Sequence, residues 1–311
     1  MRSRVLLALA LSGTVVIAGS VTARAGGGGG GGPPPDPAIA YVDGGIRVMN
    51  ADGSNSRLLV AVKGGDWVRG PCWSPDSSRI AFCGRLKGSE GIRVVNLDGT
   101  GLALVTSHAG GFASFPDWTQ APAPDGQHKL VFDEYDAATD DQDLWIVNPD
   151  GTGRQNLTQS PSVDEFSASW TRDGTGLYVE RWNELVLLSV AAAAGGGLEI
   201  TDETVLVSDV FMAAFPRSAN AHDFVGFSMM SAIQDPLLAQ VLDVSILPWT
   251  PVGLSPSGSG TERWVSFSPD DSRAAFHRSG ARISGIFTIN SDGSGETRIN
   301  KSGIDPNWKR R

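Results

Sequence analysis

An all-β fold, a six-bladed β-propeller of four-stranded antiparallel sheets, is what this sequence predicts, and three observations carry it. The phrase Trp73-Ser74-Pro75-Asp76 returns at Trp118, as Trp170-Thr171-Arg172-Asp173, as Phe267-Ser268-Pro269-Asp270 and, shortened, as Asp305-Pro306-Asn307-Trp308. A second phrase, Asn-x-Asp-Gly, lies between them at 50–53, 96–99, 148–151 and 290–293. Aligned at 73, 118, 170, 215 (a Phe), 267 and 308, the copies stand 41 to 52 residues apart. That period belongs to one blade of a propeller.

Each element follows from local chemistry. In the unit 69–106, strand A ends at Trp73, and Ser74-Pro75-Asp76-Ser77 turns the chain with Pro where a type I turn prefers it. Residues 80–83 read as strand B, 92–96 as C and 102–106 as D. Asp98-Gly99 joins the last two, because Gly accepts the positive φ of a tight hairpin. The same pattern fits 114–159 and 264–300. The unit 166–208 keeps its A–B turn, but its C–D junction has drifted to 191–197. The unit 211–254 is the faintest, with Phe215-Pro216-Arg217-Ser218 standing for the Trp phrase. The chain enters at 39–42 on a strand B and leaves on a lone strand A at Trp308. The expected first blade is therefore 38–62 completed by 304–311, closing the ring and hiding two sheet edges.

Ahead of the propeller, Arg2 and Arg4, an apolar run over 5–21 and Ala23-Arg24-Ala25 read as a signal peptide cleaved after residue 25. Residues 26–37, seven Gly and then three Pro among them, read as a linker. The propeller is then one domain, 38–311, and is expected to be a monomer with no membrane span once the signal is cleaved. Net charge is −9 over 311 residues. That balance speaks against nucleic acid or an anionic membrane as partner, since both require basic patches.

The run Trp73-Ser-Pro-Asp-Ser-Ser-Arg-Ile-Ala-Phe82, with Ile92-Arg-Val-Val-Asn-Leu-Asp-Gly99, resembles the WD-like repeat of TolB-type propellers. The resemblance covers about 38–311, with clear motifs in four of six units. It implies a periplasmic or secreted protein that binds other envelope proteins through a six-bladed ring. TolB itself carries an α/β domain ahead of its propeller, whereas only linker is expected between residues 25 and 38 here.

The Trp-phrase and Asn-x-Asp-Gly turns share one face and read as structural. Calcium ligation at 148–151 is the alternative, although the spacing matches no EF-hand loop. The opposite face holds the B–C and D–A loops. There Asp133, Glu134, Asp136, Asp140, Asp141 and Asp143 read either as a solvated loop or as a site for a basic partner or a metal. Arg85, Lys87 and Glu90, then Arg181 and Trp182, then His277, Arg278 and Arg282 complete that face, with Trp67 and Trp182 as surface anchors. Trp73, Trp118, Trp170, Phe267 and Trp308 read as blade-packing residues.

Catalysis has little support. No Gly-x-Ser-x-Gly elbow is present, and His108, His128, His222 and His277 show no metal-ligand spacing. No cofactor motif is found. Cys72 and Cys83 share one sheet face one diagonal step apart. Diagonal neighbours lie ~7–8 Å apart, more than a disulfide's ~3.5–4.5 Å between Cβ atoms, so buried thiols and a disulfide both stay open. The functional expectation is a non-catalytic protein-binding scaffold. Its partner would be an envelope or extracellular protein, a basic one being suited to the acidic loop. A propeller hydrolase or lyase acting on a carbohydrate or peptide at the channel mouth is the alternative.

Overall fold

The computed structural model describes residues 37–107, 110–160, 163–208, 212–230, 238–245, 252–254, 260–280 and 283–310. The expected signal peptide, most of the linker, His108 and Arg282 lie outside them. The described residues form six four-stranded antiparallel sheets. The first joins β1 (Ile39–Val42), β2 (Gly45–Met49) and β3 (Arg57–Ala61) to the final strand β24 (Ile304–Trp308). The second runs from β4 (Trp67–Trp73) through β5 (Arg79–Leu86) and β6 (Ser89–Asn96) to β7 (Ala103–Thr106). The third comprises β8 (Gly111–Trp118), β9 (Leu130–Asp136), β10 (Asp141–Val147) and β11 (Gln155–Asn156). The fourth holds β12 (Phe166–Trp170), β13 (Gly176–Arg181), β14 (Glu184–Ala192) and β15 (Leu198–Val207). The fifth holds β16 (Met212–Ser218), β17 (Phe224–Met230), β18 (Leu238–Asp243) and β19 (Val252–Gly253). The sixth holds β20 (Thr261–Phe267), β21 (Arg273–Ser279), β22 (Gly285–Asn290) and β23 (Thr297–Asn300). The inner strands β4, β8, β12, β16, β20 and β24 touch in a closed circuit.

Ring closure follows the expected register: Ile39 pairs with Trp308 and Ala40 with Asn307. The core lies between the blades in six apolar clusters, one at each junction. Trp73 fills the first-to-second junction beside Ala40, Ile46 and Val48. Trp118, Trp170, Phe267 and Trp308 do the same at four others. Arg79 caps Trp118 at 4.9 Å, and Arg273 caps Trp308 at 5.3 Å.

The fifth blade corrects one expectation. Ala219 N donates to Phe224 O as Ser74 N donates to Arg79 O, so Ser218, not Phe215, occupies the tryptophan slot. Among the described residues, Tyr178, Val225 and Phe227 pack at the fourth-to-fifth junction.

The recurring turns are built alike. In each Asn-x-Asp-Gly turn the aspartate Oδ1 accepts both N–H and hydroxyl of the next Ser or Thr: Asp52 from Ser54, Asp98 from Thr100, Asp150 from Thr152 and Asp292 from Ser294. These bonds hold the four carboxyls below their ordinary range. The aspartate is thus occupied by its own hairpin.

Candidate functional site

Alternation along the inner strands places one residue, just before the tryptophan slot, against the central axis in every blade. These are Cys72, Asp117, Ser169, Arg217, Ser266 and Asn307, all buried. Three of them clasp the next blade. Asp117 accepts Trp170 N and Ser169 Oγ at 3.0 Å each, Ser169 Oγ accepts Ser218 N at 3.3 Å, and Ser266 Oγ accepts Trp308 N at 3.0 Å. Past β24 the chain crosses the ring, and Arg310 Nη2 reaches Asp117 at 3.0 and 3.3 Å. The protein's own tail therefore satisfies this carboxylate.

Two residues earlier, the inner strands carry a bulge. Gly70, Phe115, Ser167, Trp264 and Asp305 all have positive φ, from 42 to 58°, and the register slips there in each of those sheets. A bulge re-aims the side chain beside it. Here it gathers a second polar group nearer the loop face. Asp305 Oδ2 accepts Gly70 N at 3.1 Å, while its Oδ1 has no hydrogen bond and lies 3.7 Å from Arg69 Nη1. Burial raises the Asp305 carboxyl to about 6, against the opposing pull of Arg69 and the Gly70 amide. Asp133 accepts Ser167 N at 3.1 Å and Gln142 Nε2 at 2.7 Å, and burial raises it to about 6 as well. His277 is 7% exposed with its Nδ1 unpartnered, and its ring lies 5.5 Å from Trp264. Burial, then the cations Arg263 and Arg69, lower it to about 4.

These groups give stability a specific pH dependence. Because folded Asp305 keeps its proton to higher pH than the unfolded chain does, its contribution is complete below about pH 4 and is lost as pH rises through about 6. His277 works the other way, losing its contribution as pH falls from about 6.5 towards 4. Asp305→Asn, which keeps an acceptor for Gly70 N, is expected to gain on the wild type between about pH 4.5 and 7.5 in urea unfolding. A variant-to-wild-type difference that is equal at both pH values would contradict this.

The cysteines are free thiols, Cys83 Sγ lying 3.4 Å from Arg69 O. Burial pushes Cys83 up to about 12, with Asp133 and Asp305 adding to the rise and an amide bond from Phe115 opposing it.

The structure redistributes the expected loop-face residues. The acidic segment is mostly strand: β9 and β10 leave only 137–140 as a loop. Asp133 and Glu134 are buried within β9, Glu134 paired with Arg154. Asp143 is consumed by Asn156, Thr158 and Ser160 N at 2.6, 3.2 and 2.9 Å. Asp136, Asp140 and Asp141 remain on the rim, where Tyr135 donates to Asp140 at 2.8 Å. Arg181 and Arg278 are not free loop cations. They occupy equivalent positions and close equivalent ion triads, Glu165–Arg181–Glu203 and Glu262–Arg278–Glu296. His277 and Arg278 lie in β21, not beyond it.

The rim of the third and fourth blades is aromatic as well as acidic. Phe112 is 41% exposed and packs on Tyr135 at 5.4 Å; Trp182 is 69% exposed and meets Phe166 edge-on at 6.1 Å. The neighbouring Asp136, Asp143 and Asp164 help to raise Asp141, after its partial burial. Trp67, 36% exposed, stands beside Arg85 on the second blade.

Sequence reading misses Asp305, Asp117 and Phe112. A column of polar residues one place before the tryptophan slot is the available signal. The bulge has none, since only Gly70 among its five residues advertises positive φ. Among the described residues no group of three or more His, Cys, Asp or Glu is placed to hold a metal. No helix among them is long and apolar enough to cross a membrane.

No family model matches the chain. It is 30% identical over 105 residues to the Protein TolB homolog of Chlorobium luteolum, an alignment covering 34% of this chain and 22% of that protein. The match thus spans about a fifth of the curated relative's length. Among solved structures, TolB from Acinetobacter baumannii superposes with a TM-score of 0.69 at 15% identity, over 88% of this chain and 66% of that one. A puromycin-hydrolyzing peptidase of Mycobacterium tuberculosis superposes at 0.54 and 13% identity, over 86% of this chain and 44% of that one. At these identities structural likeness shows the fold, and function has to be argued from the site.

Proposed function

We propose that this six-bladed β-propeller, which resembles TolB homologues, is an exported, non-catalytic scaffold of the bacterial periplasm or envelope. Its loop face docks a basic segment of a partner protein. The observation that carries this reading is the rim of the third and fourth blades. There exposed Phe112 follows Gly111, the strand partner of Asp136, with Asp140 and Asp141 in the same hairpin, and Trp182 is exposed on the adjacent blade. Large aromatics exposed on a stable scaffold are the usual anchors of an interface, and a ring of acids selects and steers a cationic partner. The resemblance to TolB homologues supports an envelope location, as does the signal-like start of the sequence.

The test is capture from envelope extract by the propeller, by Phe112→Ala/Trp182→Ala and by a turn-face variant, Asp150→Ala. A protein retained by the wild type and by Asp150→Ala, but lost with the aromatic pair and with raised salt, is the expected result. Retention by all three would remove the rim from the account.

A second reading, a hydrolase or lyase working on a carbohydrate or peptide, has the Asp305–Arg69 pair in its favour, with His277 within electrostatic reach of Arg69. Turnover of a glycan or peptide panel that Asp305→Asn abolishes would favour it over the scaffold.

A further inference from the structure

The geometry points to a phosphate-binding site on the loop face between the first and second blades, distinct from the protein-docking rim. A shallow cavity of about 430 Å³ is lined there by Lys63, Gly64, Gly65, Asp66, Arg85, Lys87 and Gly88. Three of those residues are cationic in a chain whose net charge is −9. Like charges grouped on one cavity repel each other, and Asp66 is the single acid among the lining residues. The side chains of Lys63, Arg85 and Lys87 make no hydrogen bond or ion pair among the described residues. Several arginines elsewhere are engaged by acids: Arg154 by Glu134, Arg181 by Glu165 and Glu203, Arg278 by Glu262 and Glu296, and Arg310 by Asp117.

The cavity is also preset. Asp66 Oδ1 accepts Lys87 N at 3.0 Å, tying the loop after β3 to the hairpin between β5 and β6. This bond spends one oxygen of the single acid on the rim. Gly64, Gly65 and Gly88 have φ of +54, +92 and +79°, and a Cβ added at any of them would meet nothing within 4 Å. The backbone is thus open to close approach by an oxyanion, as in concave anion sites formed by successive amides in turn conformations. Three cations exceed what one carboxylate would neutralise and suit the greater charge of a phosphoryl group. Trp67, paired across the strands with Arg85 and 36% exposed, offers an apolar edge to the body carrying that phosphate. The ligand class is therefore a phosphoryl group, whether of a small phosphate ester or of a lipid headgroup.

The experiment titrates the full chain, at low ionic strength, with inorganic pyrophosphate by calorimetry. In parallel it sediments the protein with vesicles of phosphatidylglycerol in phosphatidylcholine and with phosphatidylcholine alone. Arg85→Ala/Lys87→Ala removes two exposed cations, and Lys301→Ala, an exposed cation on the same face, is the control. Saturable pyrophosphate binding that weakens at least about tenfold in the double variant and not in Lys301→Ala is expected for a free phosphate ester. Loss of phosphatidylglycerol-dependent sedimentation by the same variant assigns the headgroup as source. The double variant should melt at the wild-type temperature. No saturable binding of either probe, or equal binding by the double variant, overturns the site. Because no partner protein enters the measurement, its failure leaves the docking reading untouched.

Discussion

Arg278→Met is expected to cost the protein roughly 3–5 kcal/mol, the range for removing one partner of a buried ion pair. The Arg278 side chain is 2% exposed and that of Glu262 is 0% exposed. The guanidinium donates to Glu262 Oε1 from Nε at 3.0 Å and from Nη2 at 2.6 Å, and to Glu296 at 2.6 and 2.8 Å. It also lies 4.6 Å over the ring of Phe287. Methionine fills much of the volume, so the loss is chiefly that of leaving the Glu262 carboxylate buried without its cation. Glu262 also accepts Ala239 N at 3.1 Å, a bond from the fifth blade, so the damage spreads across a junction. The equivalent triad of the fourth blade is less enclosed. Arg181→Met should therefore cost less, because Arg181 is 14% and its partner Glu203 45% exposed. Replacing Arg278 and Glu262 together should recover most of the loss. Urea unfolding of the three variants checks this; a loss below about 1 kcal/mol for Arg278→Met would place the guanidinium in solvent.

Trp308→Ala is expected to cost about 3–5 kcal/mol, as large-to-small changes at buried aromatic sites do. Trp308 is 4% exposed and packs with Ile39, Tyr41, Met49, Ala275 and Ile286. It therefore fastens the last strand to both the first and the sixth blade. Against a total stability of about 5–15 kcal/mol for an ordinary domain, that is a large fraction. Unlike the same change at Trp170, it should also loosen β24 before the rest unfolds, giving a lower denaturant slope for the first transition. A single transition with the wild-type slope and a loss under about 1 kcal/mol would contradict the packing described.

The parts of this fold legible in the sequence are those whose chemistry is local. An Asn-x-Asp-Gly-Ser/Thr hairpin folds on hydrogen bonds within five residues, so its signature survives in four blades. The tryptophan slots and the ring-closing strand follow from counting between such turns. Where the turns lapse, the count drifts. The aromatic Phe215 then reads as the slot in place of Ser218, because a serine in an apolar slot carries no signal. The candidate site is harder to read because its residues meet across blades. Asp305 binds Gly70, and Asp133 binds Ser167, through backbone amides exposed by bulges that no residue type announces. The acidic segment misleads for a related reason. Strands continue through Asp133, Glu134 and Asp143 because each carboxylate finds a donor in a neighbouring strand or loop, which composition alone does not reveal.

Amide hydrogen exchange over 304–308 tests ring closure most directly. If β24 is the inner strand of the first blade, its ladder amides are protected to nearly the free energy of global unfolding, together with those of 39–42. Exchange of 304–308 at the rate of a frayed tail, with 39–42 still protected, would mean the ring is closed some other way or not at all.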